Sequence, residues 1–135
     1  MAKIDNETAV NDLNRFITAL RVTDVKLEKL AEEKESVIKL IESGHISVSD
    51  ENSVTYQLIE KIEDDNKSTI LDSVTFKPRR VRVDDIEKRM TGKNDIEKTR
   101  NMFAFLTGVN SGLFSKLDGD DFINISSIAA FFLPR

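Results

Sequence analysis

Apolar residues recur with two different periods along this chain of 135 residues. Over residues 5–43 the period is helical. Leu13, Leu20, Leu27, Lys34 and Ile41 stand seven apart, and Phe16, Ile17, Leu30, Val37 and Ile38 fill the intermediate positions. A seven-residue repeat keeps one seam facing a partner helix. Thr23 and Asp24 interrupt the seam and offer a cap for a second helix, so a helical hairpin competes with a single rod. Gly44 supplies the stop. The seam residues Leu13, Leu20, Leu27, Leu30 and Ile41 pack either on the chain's own body or on a second copy as an oligomerisation surface. Lys34 at a seam position weighs against a long, tight coiled coil.

From residue 54 the period changes to two. Val54, Tyr56 and Leu58 alternate with Thr55 and Gln57, and a polar "EDDNK" separates this run from "STILDSVTF". Two β-branched runs around a short polar linker predict a β-hairpin, with "ISV" at 46–48 as a short edge strand. Pro78 ends the pairing because it has no N–H to donate. Asp84 or Asp85 then caps a helix through "IEKRM", stopped by Gly92. Asn94 or Asp95 caps another, with Ile96, Thr99, Phe103 and Leu106 on one face and Gly108 at its end. "SGLFSKL" predicts a turn or two of helix. Asp118 caps the last helix, and Asp121 at its third position meets the positive helix end. Phe122, Ile125, Ala129 and Phe132 form one stripe there. Ile128, Phe131 and Leu133 widen it beyond a normal half-buried face. The predicted class is therefore α+β: a helical arm or hairpin at 1–44, then a domain over 45–135 made of a small antiparallel sheet and a bundle of three or four short helices.

Composition sharpens this picture at the end of the chain. Six of the eight Phe lie in residues 101–135, although a third of the whole chain is charged. The net charge is −4, but residues 77–100 hold nine bases against five acids. The longest apolar run, Ile128–Leu133, falls far short of the ~20 residues a bilayer-spanning helix needs. The first residues carry acids and no apolar core, so no secretory signal is expected. Without Cys there is no disulfide, thiolate nucleophile or sulfur metal site.

Little in the sequence carries catalytic chemistry. His45 is the single histidine and sits beside the Gly44 stop, as a helix C-terminal or turn residue would. "DGDDF" at 118–122 has Ile123 and Ala129 where a calcium loop needs Gly and a bidentate Glu, so capping accounts for it better. No phosphate-cradling glycine motif is present, and the acid pairs fall on a turn and a helix start. Neither cofactor nor metal is expected. The cluster Lys77, Arg79, Arg80 and Arg82 could grip phosphates, but it lacks interleaved aromatics and sits in an acidic chain, which disfavours nucleic acid.

The order of motifs from residue 54 onward is distinctive: strand, polar turn, "ILDSVTFKP", "VRVDDIEK", a charged loop, "EKTRNMFAFLTGV", "LFSKLDGDDFINI", and an apolar terminal helix. Over residues 54–133 this resembles the small tail assembly chaperones of contractile-tailed, Mu-like phages. The positions that match are Leu58, Val74, Thr75, Phe76, Lys77, Pro78, Asp85, Phe105, Leu106, Thr107, Gly108, Val109, Leu117, Asp121 and Phe122. Lys61 stands where that pattern has a strand Pro, and Val83 where it has Thr. The resemblance implies a non-enzymatic protein of the host cytoplasm that holds the tape-measure protein before the tail tube polymerises. Combined with the surplus of apolar residues, it makes Phe122, Ile125, Ile128, Phe131, Phe132 and Leu133 the expected partner-binding surface, since contiguous exposed apolar patches mark interaction sites; burial of both sides of the helix inside the domain or in a homodimer is the alternative. A nucleic-acid-binding regulator using residues 77–82 and a structural tail subunit are the competing expectations.

Overall fold

The computed structural model describes residues 3–134. Its class is the expected α+β. The chain runs through α1 (Asn6–Leu20), α2 (Asp24–Lys29), α3 (Ala31–Glu42), β1 (Ile46–Val48), β2 (Val54–Glu63), β3 (Thr69–Phe76), α4 (Val83–Arg89), α5 (Asp95–Thr107), a 3₁₀ helix (Ser111–Lys116) and α6 (Gly119–Ala129).

The helix ends follow their local chemistry. Asp5, Thr23, Asn94 and Asp118 each cap a helix by accepting a backbone N–H with a side-chain oxygen. The break at Thr23 makes a hairpin of the N-terminal helices, with α3 packed on α1. Gly108 ends α5 in the left-handed region, at φ 76°. At the end of α1 that conformation falls to Arg21, at φ 59°. Arg80 supports it from afar, donating to the carbonyls of Leu20 and Arg21 at 3.2 and 3.1 Å. Asp85 takes the backbone N–H of Arg82 at the start of α4. That helix stops at Arg89, ahead of Gly92.

The sheet has the antiparallel order β1-β2-β3. Ile46 faces Tyr56, which faces Val74; Val48 faces Val54, which faces Phe76. These two cross-strand rows lie on the inner side, as the alternation predicts. Beyond Gln57 the register of β2 shifts before Ile62. Within and beyond that irregularity Ile59 and Ile70 are exposed, while Ile62, paired with Leu71, stays in the core. Asp64 closes the turn by accepting the N–H groups of Asn66 and Ser68, both at 2.9 Å.

The N-terminal helices share their core with the sheet and the later helices. One core contains Leu13, Phe16, Leu20 and Ile41 from the N-terminal helices together with Tyr56, Phe76, Phe103 and Phe131. One buried cluster thus includes residues from both sides of position 44. Arg15 reinforces the union by donating to the carbonyls of Val48 and Ser49 and to Oδ1 of Asn52. On α5, Met102, Phe103 and Leu106 are buried, but Ile96 is 63% exposed because nothing covers the first turn.

Candidate functional site

The C-terminal apolar residues follow the enclosed alternative and not the open partner surface. Ile125, Ile128 and Phe131 are buried, Phe132 is 7% exposed, and Phe122 and Leu133 are half-buried. The last helix stops at Ala129, and residues 130–132 tighten into turns, with Phe131 N–H bonded to Ile128 and Phe132 N–H to Ala129. This swings both rings under α1. Phe16 meets Phe131 edge-on at 6.3 Å between centroids and Phe132 at 5.7 Å, and Phe132 also lies 5.9 Å from Phe76. Phe122 packs against Phe103 at 5.4 Å. Lys26 fixes the segment from outside, donating from Nζ to the Phe131 carbonyl at 2.8 Å. The apolar surplus is thus covered within the same chain, and Ile125, Ile128, Phe131 and Phe132 offer no open partner-binding face.

The heptad seam is also mostly internal. Leu13, Leu20, Leu30 and Ile41 are each at most 1% exposed, so they serve the core instead of an oligomer contact. Leu27 is the exception and is half-buried. It lines an open groove of about 550 Å³ along α2 and α3. Leu27, Ala31 and Ile38 supply its apolar lining, and Lys34 also faces it. Carboxylates of Asp24, Glu28, Glu35 and Glu42 line the groove as well. Lys39 offsets one of them through a 3.2 Å ion pair with Glu35. The geometry is that of an amphipathic helix pair whose outward seam has no third helix. An apolar-striped helix of a partner could lie there, its own charges meeting the acidic side chains.

The basic cluster at 77–82 is dispersed among structural tasks. Arg80 holds the end of α1, and Arg82 pairs with Asp84 at 2.6 Å. That pairing holds the exposed Asp84 carboxyl below its usual range and raises Arg82. Arg79 lies over the Phe105 ring at 4.7 Å. No continuous phosphate-gripping row results.

The most buried polar site is Asp121, fully enclosed at the start of α6. Its Oδ1 accepts from the Tyr56 hydroxyl at 2.6 Å and from Ile59 N–H at 2.8 Å, and its Oδ2 accepts from Glu60 N–H at 3.1 Å. Asn124 donates in turn to the Tyr56 oxygen at 2.9 Å. Burial, with the adjacent carboxylate second, raises the Tyr56 pKa well above its ordinary value. Asp121 therefore does more than face its own helix end: it supplies the acceptors that the β2 irregularity removes from the strand ladder. This linkage joins α6 to β2 and is structural. The sequence shows an acid at a helix start, and nothing local signals that the strand 62 residues earlier needs it.

His45 is half-buried beyond α3, with Nδ1 unpartnered. Among the described residues no group of three or more His, Cys, Asp or Glu could hold a metal ion. Among them, too, no helix is long and apolar enough to cross a membrane. No protein-family model, curated protein or solved structure matches the chain.

Proposed function

We propose that this chain is a non-enzymatic phage tail assembly chaperone that binds the helical tape-measure protein in the host cytoplasm before the tube polymerises around it. The motif order from residue 54 to 133 supplies the partner class. The observation that carries the reading is the groove along α2 and α3, where Leu27, Ala31 and Ile38 lie open among acidic side chains. This surface replaces the C-terminal helix as the contact.

Magnitudes suit a transient partner. Covering ~200 Å² of apolar surface contributes about 5 kcal/mol before association entropy is subtracted, and that entropy is of similar size. One groove binds weakly. Many copies along a long apolar stripe keep it covered and still leave when tube subunits arrive.

The test is co-purification of the full chain with a tape-measure fragment, using Leu27→Asp/Ile38→Asp as the groove variant. The wild type retains the fragment and the variant loses it, with an unchanged circular dichroism spectrum. A fragment never retained by the wild type refutes the chaperone reading. Retention by the folded variant refutes the groove. A variant that loses only self-association assigns the groove to a second copy, and detection of the chain in finished particles favours a structural tail subunit.

A further inference from the structure

We propose that the cleft surface around Phe105 is a second docking site, built for an acidic helical segment of a protein partner. It stands on residues outside the α2–α3 groove and does not depend on the chaperone reading. Phe105 lines two neighbouring clefts of about 280 and 500 Å³. Arg79 lies 4.7 Å from its ring centroid and Arg89 5.2 Å. Lys77 lines the first cleft beside Arg79, and Lys88 the second beside Arg89. No Asp or Glu lines either cleft. All four cations are exposed, and none makes an ion pair among the described residues. Asp84, in the first turn of α4, is engaged by Arg82 at 2.6 Å.

A chain of net charge −4 thus gathers around one ring four cations that make no ion pair among the described residues. Stacking on an aromatic ring holds a guanidinium in place; Arg79 also donates one N–H to the Phe105 carbonyl at 3.5 Å, and its remaining N–H groups can meet a carboxylate. Two such groups, one in each cleft, offer separate contacts to two carboxylates on one face of a helix. Phe105, Leu106 and Val109 accept the apolar residue between them. A nucleic acid fits less well. The guanidinium groups already stack on the only aromatic ring bordering both clefts, which removes it as a base platform, and the acidic body repels a dense polyanion.

The experiment measures binding of the full chain to a labelled helical peptide with Glu at every fourth position and Leu between. The controls are the same peptide with Gln for Glu and a single-stranded DNA oligonucleotide. The Glu peptide binds and weakens with salt, the Gln peptide binds at least about tenfold more weakly, and Arg79→Gln/Arg89→Gln loses about tenfold with its fold intact. Should that variant fail to fold, Lys77→Gln/Lys88→Gln, which leaves the ring stack in place, weakens the peptide about threefold. Equal binding of the Glu and Gln peptides overturns the proposal. So does undiminished binding by the folded variants, or displacement of the peptide by the oligonucleotide at equal charge concentration.

Discussion

The hydroxyl of Tyr56 donates a 2.6 Å hydrogen bond to Oδ1 of Asp121, and both side chains are fully removed from solvent. The same carboxylate takes the N–H groups of Ile59 and Glu60. A buried charge is tolerated when its lone pairs are filled, and here three donors fill them.

Asp121→Ala is expected to be the most damaging polar substitution in the chain. It strands the buried Tyr56 hydroxyl at about 1–3 kcal/mol and removes the acceptor from two part-buried N–H groups, which water can partly satisfy, a sizeable share of the ~5–15 kcal/mol that stabilises a typical domain. Asp121→Asn retains one acceptor and turns an NH₂ toward a backbone donor, so it loses less. Urea unfolding of the two variants orders them, and an Ala variant within 1 kcal/mol of wild type, on the same scale, contradicts the assignment.

Tyr56 is the chain's single tyrosine, so its ionisation can be read without ambiguity. Burial raises its folded-state pKa, with the Asp121 bond second. The sign follows directly. Its contribution to stability is complete below the unfolded value of about 10 and declines as the pH rises above it, because only the unfolded phenol then ionises readily. Phenolate absorbance should stay absent from the folded chain through the ordinary tyrosine range and appear with unfolding. Tyr56→Phe should flatten the alkaline loss of stability while lowering stability at neutral pH by about 1–3 kcal/mol.

Phe131→Ala should cost about 3–5 kcal/mol, as a buried aromatic does, and Phe132→Ala nearly as much. Both would show as lower urea midpoints. A loss of any partner by these variants would follow from unfolding, which is why the groove variants are the cleaner probe. Unchanged stability in Phe131→Ala would mean that the ring does not sit under α1.

The two left-handed helix ends should respond in opposite directions. Gly108→Ala loses about 1 kcal/mol from backbone strain alone, since open space surrounds the position. Arg21→Gly relieves the same strain and should raise the thermal midpoint, by an amount equivalent to up to about 1 kcal/mol. A rise from Gly108→Ala would contradict the φ of 76° at that position.

What could be read from the sequence was what neighbouring residues decide. The caps at Thr23, Asn94 and Asp118, the hairpin around "EDDNK" and the stop at Gly108 each depend on a few adjacent side chains, and each stands where it was expected. Long-range pairings were hidden. The apolar excess at residues 128–133 was visible, but its cover, Phe16, lies near the other end of the chain, and nothing local points to it. Ile96 fits its helical stripe by spacing, yet no element crosses that turn. Of the candidate groove, Leu27 and Ile38 were visible as seam residues. Which seam positions face outward depends on how α2 and α3 pack, and only the fold decides that. Arg79 and Arg89 meet at Phe105 through three separate segments, a convergence no spacing rule reveals.

The bond between Lys26 and the Phe131 carbonyl spans 105 positions. Ribosomes add about 5–20 residues per second, so α1 and α2 wait roughly 5–20 s for the rings that complete their packing. During that interval the apolar side of Phe16 belongs to a nascent chain with no lid. The packing of the helical hairpin is therefore completed only after Phe131 and Phe132 emerge, and a translation product stalled before them would present the cell with a sticky, unfinished helical hairpin.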